Sequence, residues 1–472
     1  MENQPEKHLS VGRNLKIGVF HLGSGMADVL TTGVWNRIMI SDLGFSATPI
    51  GLLVALRYFL APLGVLAGRM SDQRAVGGFR RLIWIWSGRL MMALSVLMVG
   101  LTTANLARGD TADALDWIAL TVALLLFSLG TAISGSTFLA LIYDRSPDHQ
   151  RGRAVGIVWT FLLVGFTIGG VLFGSLLPEP APERAIEATV LGADGEIHAL
   201  AFTPDDIQNL FIFAAVLLTG LWFVSLLGEE RRVQPGELKA AVERIKTTLR
   251  GDLKLAWSDR RTRFFFWYLG LSMLFAFSQD LILEPFAAEV FGMEPRITTR
   301  FAAYWGSMAI LGTIAFLILS RRFKRLTNTV MSCVGVGLLL VTFAAFAISS
   351  VAEIRGLVTP GLILLGLGLG IWNVGTLGLM MEMSPFGRAG TFLGFWTLVV
   401  TFARGIGVSG GGLLRDLGLA ISGDATIAYG AAFAIGAVGL AVSLWALSGV
   451  HANEFKRESN TDAASTFAGA LD

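Results

Sequence analysis

Apolar residues in this chain gather into long runs separated by short polar stretches, and the length of those runs sets the architecture. A helix needs about 20 apolar residues to cross a hydrocarbon layer about 30 Å thick. Twelve runs reach that length, predicting spans over 15–40, 47–67, 82–101, 115–143, 154–177 and 207–227 in the first half of the chain. The second half gives 264–290, 298–320, 326–350, 357–383, 389–414 and 425–447. Each must be helical, because an open strand edge in lipid leaves backbone donors and acceptors unpaired. The runs also lack the alternating pattern of a membrane barrel. The predicted fold class is all-α integral membrane, with twelve transmembrane helices.

Composition agrees: 53% of the 472 residues are hydrophobic and 15% charged, too apolar for a soluble protein. A net charge of +2 gives no reason to expect a nucleic-acid partner. The single cysteine, Cys333, falls inside an apolar run, which excludes an internal disulfide framework and a cysteine-based metal site. The first fourteen residues are polar and the next run outlasts a signal-peptide core, so it is read as an uncleaved first helix.

Most of the 37 Lys and Arg residues fall on the N-terminal tail, the loops after even-numbered spans and the C-terminal tail, which the positive-inside rule assigns to the cytoplasm along with both termini. The loop at 178–206, rich in Asp and Glu, belongs on the far side. Four regions follow: an N-terminal six-helix half over 1–228, a cytoplasmic linker over 229–263, a C-terminal six-helix half over 264–450 and a flexible tail over 451–472. Within the linker, Leu238, Val242, Ile245, Leu249 and Leu253 recur at helical spacing among basic residues, as in a helix lying on an anionic membrane face.

The halves repeat local patterns. Ser146-Pro147 followed by Arg153-Ala154 and Trp159 matches Ser384-Pro385 followed by Arg388-Ala389 and Trp396, and Asn36-Arg37 stands eight residues before Gly44 as Glu284-Pro285 does before Gly292. Two parallel six-helix repeats are the signature of the major facilitator fold, whose binding cavity lies near the bilayer midplane. Gly68, Asp72 and Arg74 after the second span resemble the short cytoplasmic gate loop of that superfamily, where an Asp receives helix-end donors and basic partners. Glycines spaced at four, such as Gly165 with Gly169 and Gly170 with Gly174, suit close helix packing in lipid.

Charge within a span costs at least ~2.5–3.5 kcal/mol at the helix centre, so each such residue needs a partner or a wet cavity. Asp28, Asn36 and Arg37 in the first span, Arg57 in the second, Arg89 in the third, Gln279, Asp280 and Glu284 in the seventh and Arg404 in the eleventh form the candidate polar site. Asp280 and Glu284, four apart, are expected on one helix face. Ion pairs that merely fix helix register, such as Asp28 with Arg57 or Arg89, would explain several of these equally well. Arg404 sits among small glycines and requires a partner helix or headgroup. His21 is either a magnesium ligand through one imidazole nitrogen or an ordinary hydrogen-bonded side chain. Asp110, Asp113 and Asp116 read as a polar turn capping the fourth span rather than a diphosphate site. No free-metal site and no catalytic residue is assigned.

Over most of its length the chain resembles the PucC/LhaA family of light-harvesting complex assembly proteins, the bacteriochlorophyll delivery branch of the major facilitator superfamily. The resemblance is carried by Asn36-Arg37-Ile38-Met39-Ile40, by Gly68-Arg69-Met70-Ser71-Asp72 running to Phe79-Arg80-Arg81 and Trp84-Ile85-Trp86, and above all by Gln279-Asp280-Leu281-Ile282-Leu283-Glu284-Pro285-Phe286. Glu289-Val290-Phe291-Gly292-Met293 and Gly390-Thr391-Phe392-Leu393-Gly394-Phe395-Trp396 extend it. It implies a non-enzymatic assembly factor of the photosynthetic membrane that handles bacteriochlorophyll or chlorophyll and delivers it to light-harvesting antenna polypeptides, with reaction-centre assembly components as further partners. A proton-coupled transporter of a small or amphipathic solute and a pigment-modifying enzyme are the competing classes.

Overall fold

The computed structural model describes residues 9–108, 114–146, 150–177, 189–191, 197–199, 203–230, 232, 257, 259–323, 325–383 and 389–451. The amphipathic linker helix expected over 238–253, the Ser-Pro pairs at 146–147 and 384–385 beyond Ser146, Asp110 and Asp113, and the C-terminal tail beyond His451 lie outside the described residues.

Helices dominate. In chain order they are α1 (Val11–Val29), α2 (Ala47–Phe59), α3 (Ala61–Gln73), α4 (Leu82–Arg108), α5 (Ala114–Arg145), α6 (Arg151–Leu176), α7 (Pro204–Val224) and α8 (Arg260–Ala276). There follow α9 (Leu283–Phe291), α10 (Pro295–Thr298), α11 (Phe301–Arg322), α12 (Asn328–Val351), α13 (Val358–Glu382), α14 (Ala389–Ser422) and α15 (Ala425–Ser448). Two three-residue strands, β1 (Thr189–Leu191) and β2 (Ile197–Ala199), pair antiparallel within the loop between α6 and α7. Ten helical segments among the described residues are long and apolar enough to cross a membrane, and the protein is an integral membrane protein.

The two spans that fall short of that criterion are the first and seventh, and both are irregular. α1 carries Arg13, Lys16, His21 and Asp28 and continues past Val29 in the wider π-helical form over Leu30–Trp35 and Ile38–Asp42. Such turns leave the ordinary hydrogen-bond register and occur mostly as single bulges, often at functional sites. In the seventh span the helix ends at Ala276, the chain turns over 277–282, and a second helix starts at Leu283. The expected shared helical face of Asp280 and Glu284 is therefore corrected: Asp280 lies in the turn and Glu284 in the first turn of α9. Pro285 explains part of this, since it has no amide to donate into a preceding turn and is tolerated in the first turn of a helix.

The residues cluster into two compact units, one of 1–245 with 283–306 and one of 246–282 with 307–472. The turn in the seventh span thus coincides with the passage of the chain from one unit to the other. In the first unit, α1 and α6 cross where Gly25 and Gly165 face each other's backbone: a Cβ on Gly165 would run into Leu22 O, and one on Gly25 into Leu162 O. Gly170 and Gly174 face Thr299, Ala303 and Arg296 O in the same way. In the second unit, Gly407 and Gly411 of α14 lie against Leu274 O and Ser278 O, so α14 packs backbone to backbone beside the 277–282 turn.

The repeat seen in the sequence has a local structural counterpart. Gly44 and Gly292 both adopt left-handed backbone, at φ 67° and 61°. Each is followed by an amide that reaches back six residues, Phe45 N–H to Met39 O at 3.0 Å and Met293 N–H to Ala287 O at 3.1 Å. This is the helix-ending arrangement in which glycine avoids a Cβ clash.

Candidate functional site

The first unit places His21 and Asp28 in the second half of α1, with Arg89 over the Phe20 ring and Arg57 on Asp28. Arg57 Nη1 donates to Asp28 Oδ1 at 2.6 Å and its Nη2 to Tyr58 Oη at 2.9 Å. Arg57 is buried while the Asp28 side chain keeps 29% of its surface, so the pair has one open side. Arg89 is buried too, but its guanidinium lies over two rings, 4.2 Å from Phe20 and 4.8 Å from Trp222, with Nη1 3.2 Å from Met92 Sδ. Rings hold a desolvated cation through their quadrupoles, at about 2 kcal/mol or more each when water is excluded. Gly23 opens the place Trp222 occupies, since a Cβ there would stand 2.8 Å from Trp222 Nε1.

His21 packs edge-on to Phe138 at 4.9 Å between ring centroids, with Trp159 at 5.9 Å. Its Nδ1 faces Ser24 Oγ at 3.4 Å, and among the described residues Nε2 carries no hydrogen bond. The ring is oriented from one nitrogen and uncommitted at the other.

Farther along the first span, Arg37 Nη1 donates to Asp42 Oδ2 at 3.2 Å and Nη2 to Met293 O at 3.1 Å, while Ser41 Oγ donates to Glu289 Oε1 at 3.2 Å. Glu284 is 5% exposed and its Oε1 stands 3.6 Å from where a Cβ on Gly33 would be. Arg37 feels the charges of Asp42, Glu284 and Glu289. Asn36 is fully buried, its Oδ1 accepting from Arg37 N–H at 2.8 Å.

In the second unit, Arg404 finds its partner. Its Nη2 donates to Asp280 Oδ2 at 3.0 Å and its guanidinium lies 4.0 Å from the Phe277 ring. Gln279 Nε2 donates to Asp280 Oδ1 at 2.7 Å. The glycines around Arg404 therefore do more than leave it bare: those at 407 and 411 admit the α8 backbone and its following turn, which delivers the carboxylate.

A third cluster forms at the end of the bundle holding the loop between α3 and α4. Gly77 and Gly78, both left-handed at φ 62° and 82°, make a two-residue reversal closed by Val76 and Phe79. That reversal returns Arg80 and Arg81 to Asp72, whose Oδ1 accepts from Arg80 Nη2 at 3.0 Å and from Arg81 Nη2 at 2.5 Å. Arg81 is buried and also donates to Ser71 Oγ at 2.5 Å and Asp144 Oδ2 at 3.0 Å. Glu230 accepts from the backbone N–H groups of Arg80, Arg81 and Leu82, capping the start of α4. Glu229 beside it binds Arg13 and Lys16 of α1. Of the expected gate residues Asp72 is central, Gly68 O accepts from Ser71 Oγ at 2.7 Å, and Arg74 is exposed and takes no ion pair among the described residues. Sequence reasoning missed Arg81, Asp144 and Glu230 as a unit; the available signal was a pair of acids, Glu229-Glu230, on an otherwise basic face.

A family model described as PUCC protein matches residues 34–455. The chain belongs to the PUCC protein family. The match includes every candidate residue except His21 and Asp28, which precede it. Among relatives of the family, Protein PucC of Rhodovulum sulfidophilum is 26% identical over 419 residues, 86% of this chain and 86% of that protein. The Bacteriochlorophyll synthase 44.5 kDa chain of Rhodobacter capsulatus is 28% identical over 444 residues, 92% and 94% of the two chains. Among solved structures, an inward-facing bacterial homologue of the human lysosomal transporter Spinster superposes with a TM-score of 0.62 at 14% identity, covering 97% of this chain and 99% of that one. The fold is the major facilitator fold.

Proposed function

We propose that the protein serves the biogenesis of photosynthetic antenna complexes, holding bacteriochlorophyll or chlorophyll as cargo and passing it to light-harvesting antenna polypeptides within the membrane. The observation that carries this reading is family membership across 34–455, with relatives named Protein PucC and Bacteriochlorophyll synthase 44.5 kDa chain. The residues fit such cargo. His21 would hold a tetrapyrrole magnesium through Nε2, which carries no hydrogen bond among the described residues, its ring oriented by Ser24 and by aromatic neighbours. Arg89, buried and lying over the ring of Phe20 next to His21 in the chain, is a donor of the kind that polar ring substituents accept from. The role is non-enzymatic handling: Asp28 and Asp280, the acids best placed for proton transfer, are engaged by Arg57 and Arg404. The working location is the photosynthetic membrane, with both termini cytoplasmic by the distribution of Lys and Arg.

Two observations favour a second reading, proton-coupled transport of a small or amphipathic solute: the fold is shared with the homologue of a lysosomal transporter, and Glu284 is 5% exposed. Deletion of the gene in its photosynthetic host separates the two. On the assembly reading, membranes of the deletion strain lose the near-infrared antenna band while pigment synthesis continues. Wild-type protein restores the band, whereas an H21L variant made at wild-type levels does not. An undiminished antenna band in the deletion strain overturns assembly, and proton-linked uptake by purified protein in vesicles then establishes transport.

A further inference from the structure

On the second unit a cleft of about 420 Å³ opens between the first turns of α8 and the last turns of α15, lined by Arg260, Arg263, Phe264, Trp267, Leu271 and Trp445. Its lining is divided by chemistry. Toward the start of α8 stand two exposed arginines, and the Arg260 guanidinium lies 5.6 Å from the Phe264 ring. Neither arginine has a carboxylate partner among the described residues. The acid next to them is already engaged: Asp259 Oδ1 accepts from the Arg261 and Thr262 amides at 2.6 and 3.4 Å, and Oδ2 from Arg261 Nη2 at 3.2 Å. One turn deeper the surface is apolar and bare, with Trp267 and Trp445 56% and 67% exposed beside Leu271.

Tryptophans of this exposure belong where headgroups meet acyl chains, and basic pockets between membrane helices are a setting for anionic lipid headgroups. Charge and shape together select the occupant. A free phosphate would satisfy the arginines and leave the indoles uncovered; a zwitterionic lipid brings its own ammonium and gains less from two unneutralised cations. The positive end of α8 adds to the attraction for an anion. We propose that this cleft binds an anionic glycerophospholipid, its phosphate against Arg260 and Arg263 and the upper part of an acyl chain along Trp267, Leu271 and Trp445. The site is separate from the residues offered for pigment and does not rest on that reading.

The test uses the full-length protein, purified and delipidated in non-ionic detergent. Phosphatidylglycerol, phosphatidylcholine with the same acyl chains, and inorganic phosphate are titrated separately while the thermal unfolding midpoint is followed. Phosphatidylglycerol is expected to raise the midpoint saturably, with much smaller effects from the other two. An R260Q/R263Q variant is expected to lose roughly tenfold or more of the preference for phosphatidylglycerol, at about fivefold per basic residue, and R260K/R263K to keep most of it. Brominated-chain phosphatidylglycerol gives a second readout that tolerates altered stability: it should quench wild-type tryptophan fluorescence more than brominated phosphatidylcholine, and W267F/W445F should remove the excess. Equal midpoint shifts from both lipids, a shift reproduced by phosphate alone, or an undiminished preference in R260Q/R263Q overturns the proposal.

Discussion

The pairing of Asp280 with Arg404 gives a quantitative test of why the seventh span is broken. The perturbation is removal of either charge, Asp280→Leu or Arg404→Met, and of both together. Surface ion pairs contribute about 0–1 kcal/mol, and breaking a buried pair costs about 3–5 kcal/mol because a charge is left without its partner. The side chains here are 13% and 28% exposed, between those limits, which sets the coupling at about 2 kcal/mol. Arg404→Met also loses the contact with the Phe277 ring at 4.0 Å, worth about 1 kcal/mol at a partly exposed site. Asp280→Leu deprives Gln279 Nε2 of its acceptor, another ~1 kcal/mol. Each single variant should therefore lose about 3 kcal/mol, and the double variant about 2 kcal/mol less than their sum. The assay is titration of the detergent-folded protein with SDS, read by far-ultraviolet circular dichroism. Additive losses, with a coupling below about 0.5 kcal/mol, would refute the argument that the turn at 277–282 is held by this pair.

Other consequences are checked with the same purified protein. Arg81 joins Asp72, Asp144 and Ser71, so Arg81→Ala should cost about 3 kcal/mol and Arg74→Ala less than about 0.5 kcal/mol in the same titration. Gly411→Leu, whose Cβ meets Ser278 O, should destabilise by about 1–3 kcal/mol or prevent accumulation in the membrane, read by fluorescence-detected gel filtration. At Asp259, burial pulls the carboxyl upward, but the Arg261 side chain and amide and the Thr262 amide hold it below its ordinary value overall. Its contribution is then fully present above about pH 3.9 and is lost as pH falls through the depressed value. Asp259→Ala should cost about 0.5–2 kcal/mol at neutral pH through loss of the helix cap, a difference that narrows in thermal scans below pH 4.

The membrane-spanning pattern was legible because hydrocarbon imposes one simple demand, about 20 apolar residues per crossing, and ten spans answer it directly. The exceptions were hidden for definite reasons. Leu281, Ile282 and Leu283 carry the apolar run straight through the seventh-span turn, so hydropathy sees no gap, and the clues were Ser278-Gln279-Asp280 and Pro285. The π-helical stretch over 30–42 changes hydrogen-bond register without changing composition, leaving no trace in the pattern. Candidate charges were found by the expense of charge in lipid, and the Asp28–Arg57 pairing was among the alternatives that rule suggested. Partners contributed by distant segments were not: Arg89 lies between Phe20 and Trp222, and Arg81 draws on residues more than sixty positions away. Such contacts depend on helix packing, which glycine positions hint at without specifying.

The central claim, that the protein holds a chlorophyll-type pigment, is tested most directly by purifying the full-length chain from photosynthetic membranes in mild detergent and extracting bound pigment. The account predicts a bacteriochlorophyll or chlorophyll absorbance band that migrates with the protein and is strongly reduced in an H21L variant of unchanged helix content. A colourless protein, from membranes whose antenna complexes keep their pigment through the same procedure, would contradict it.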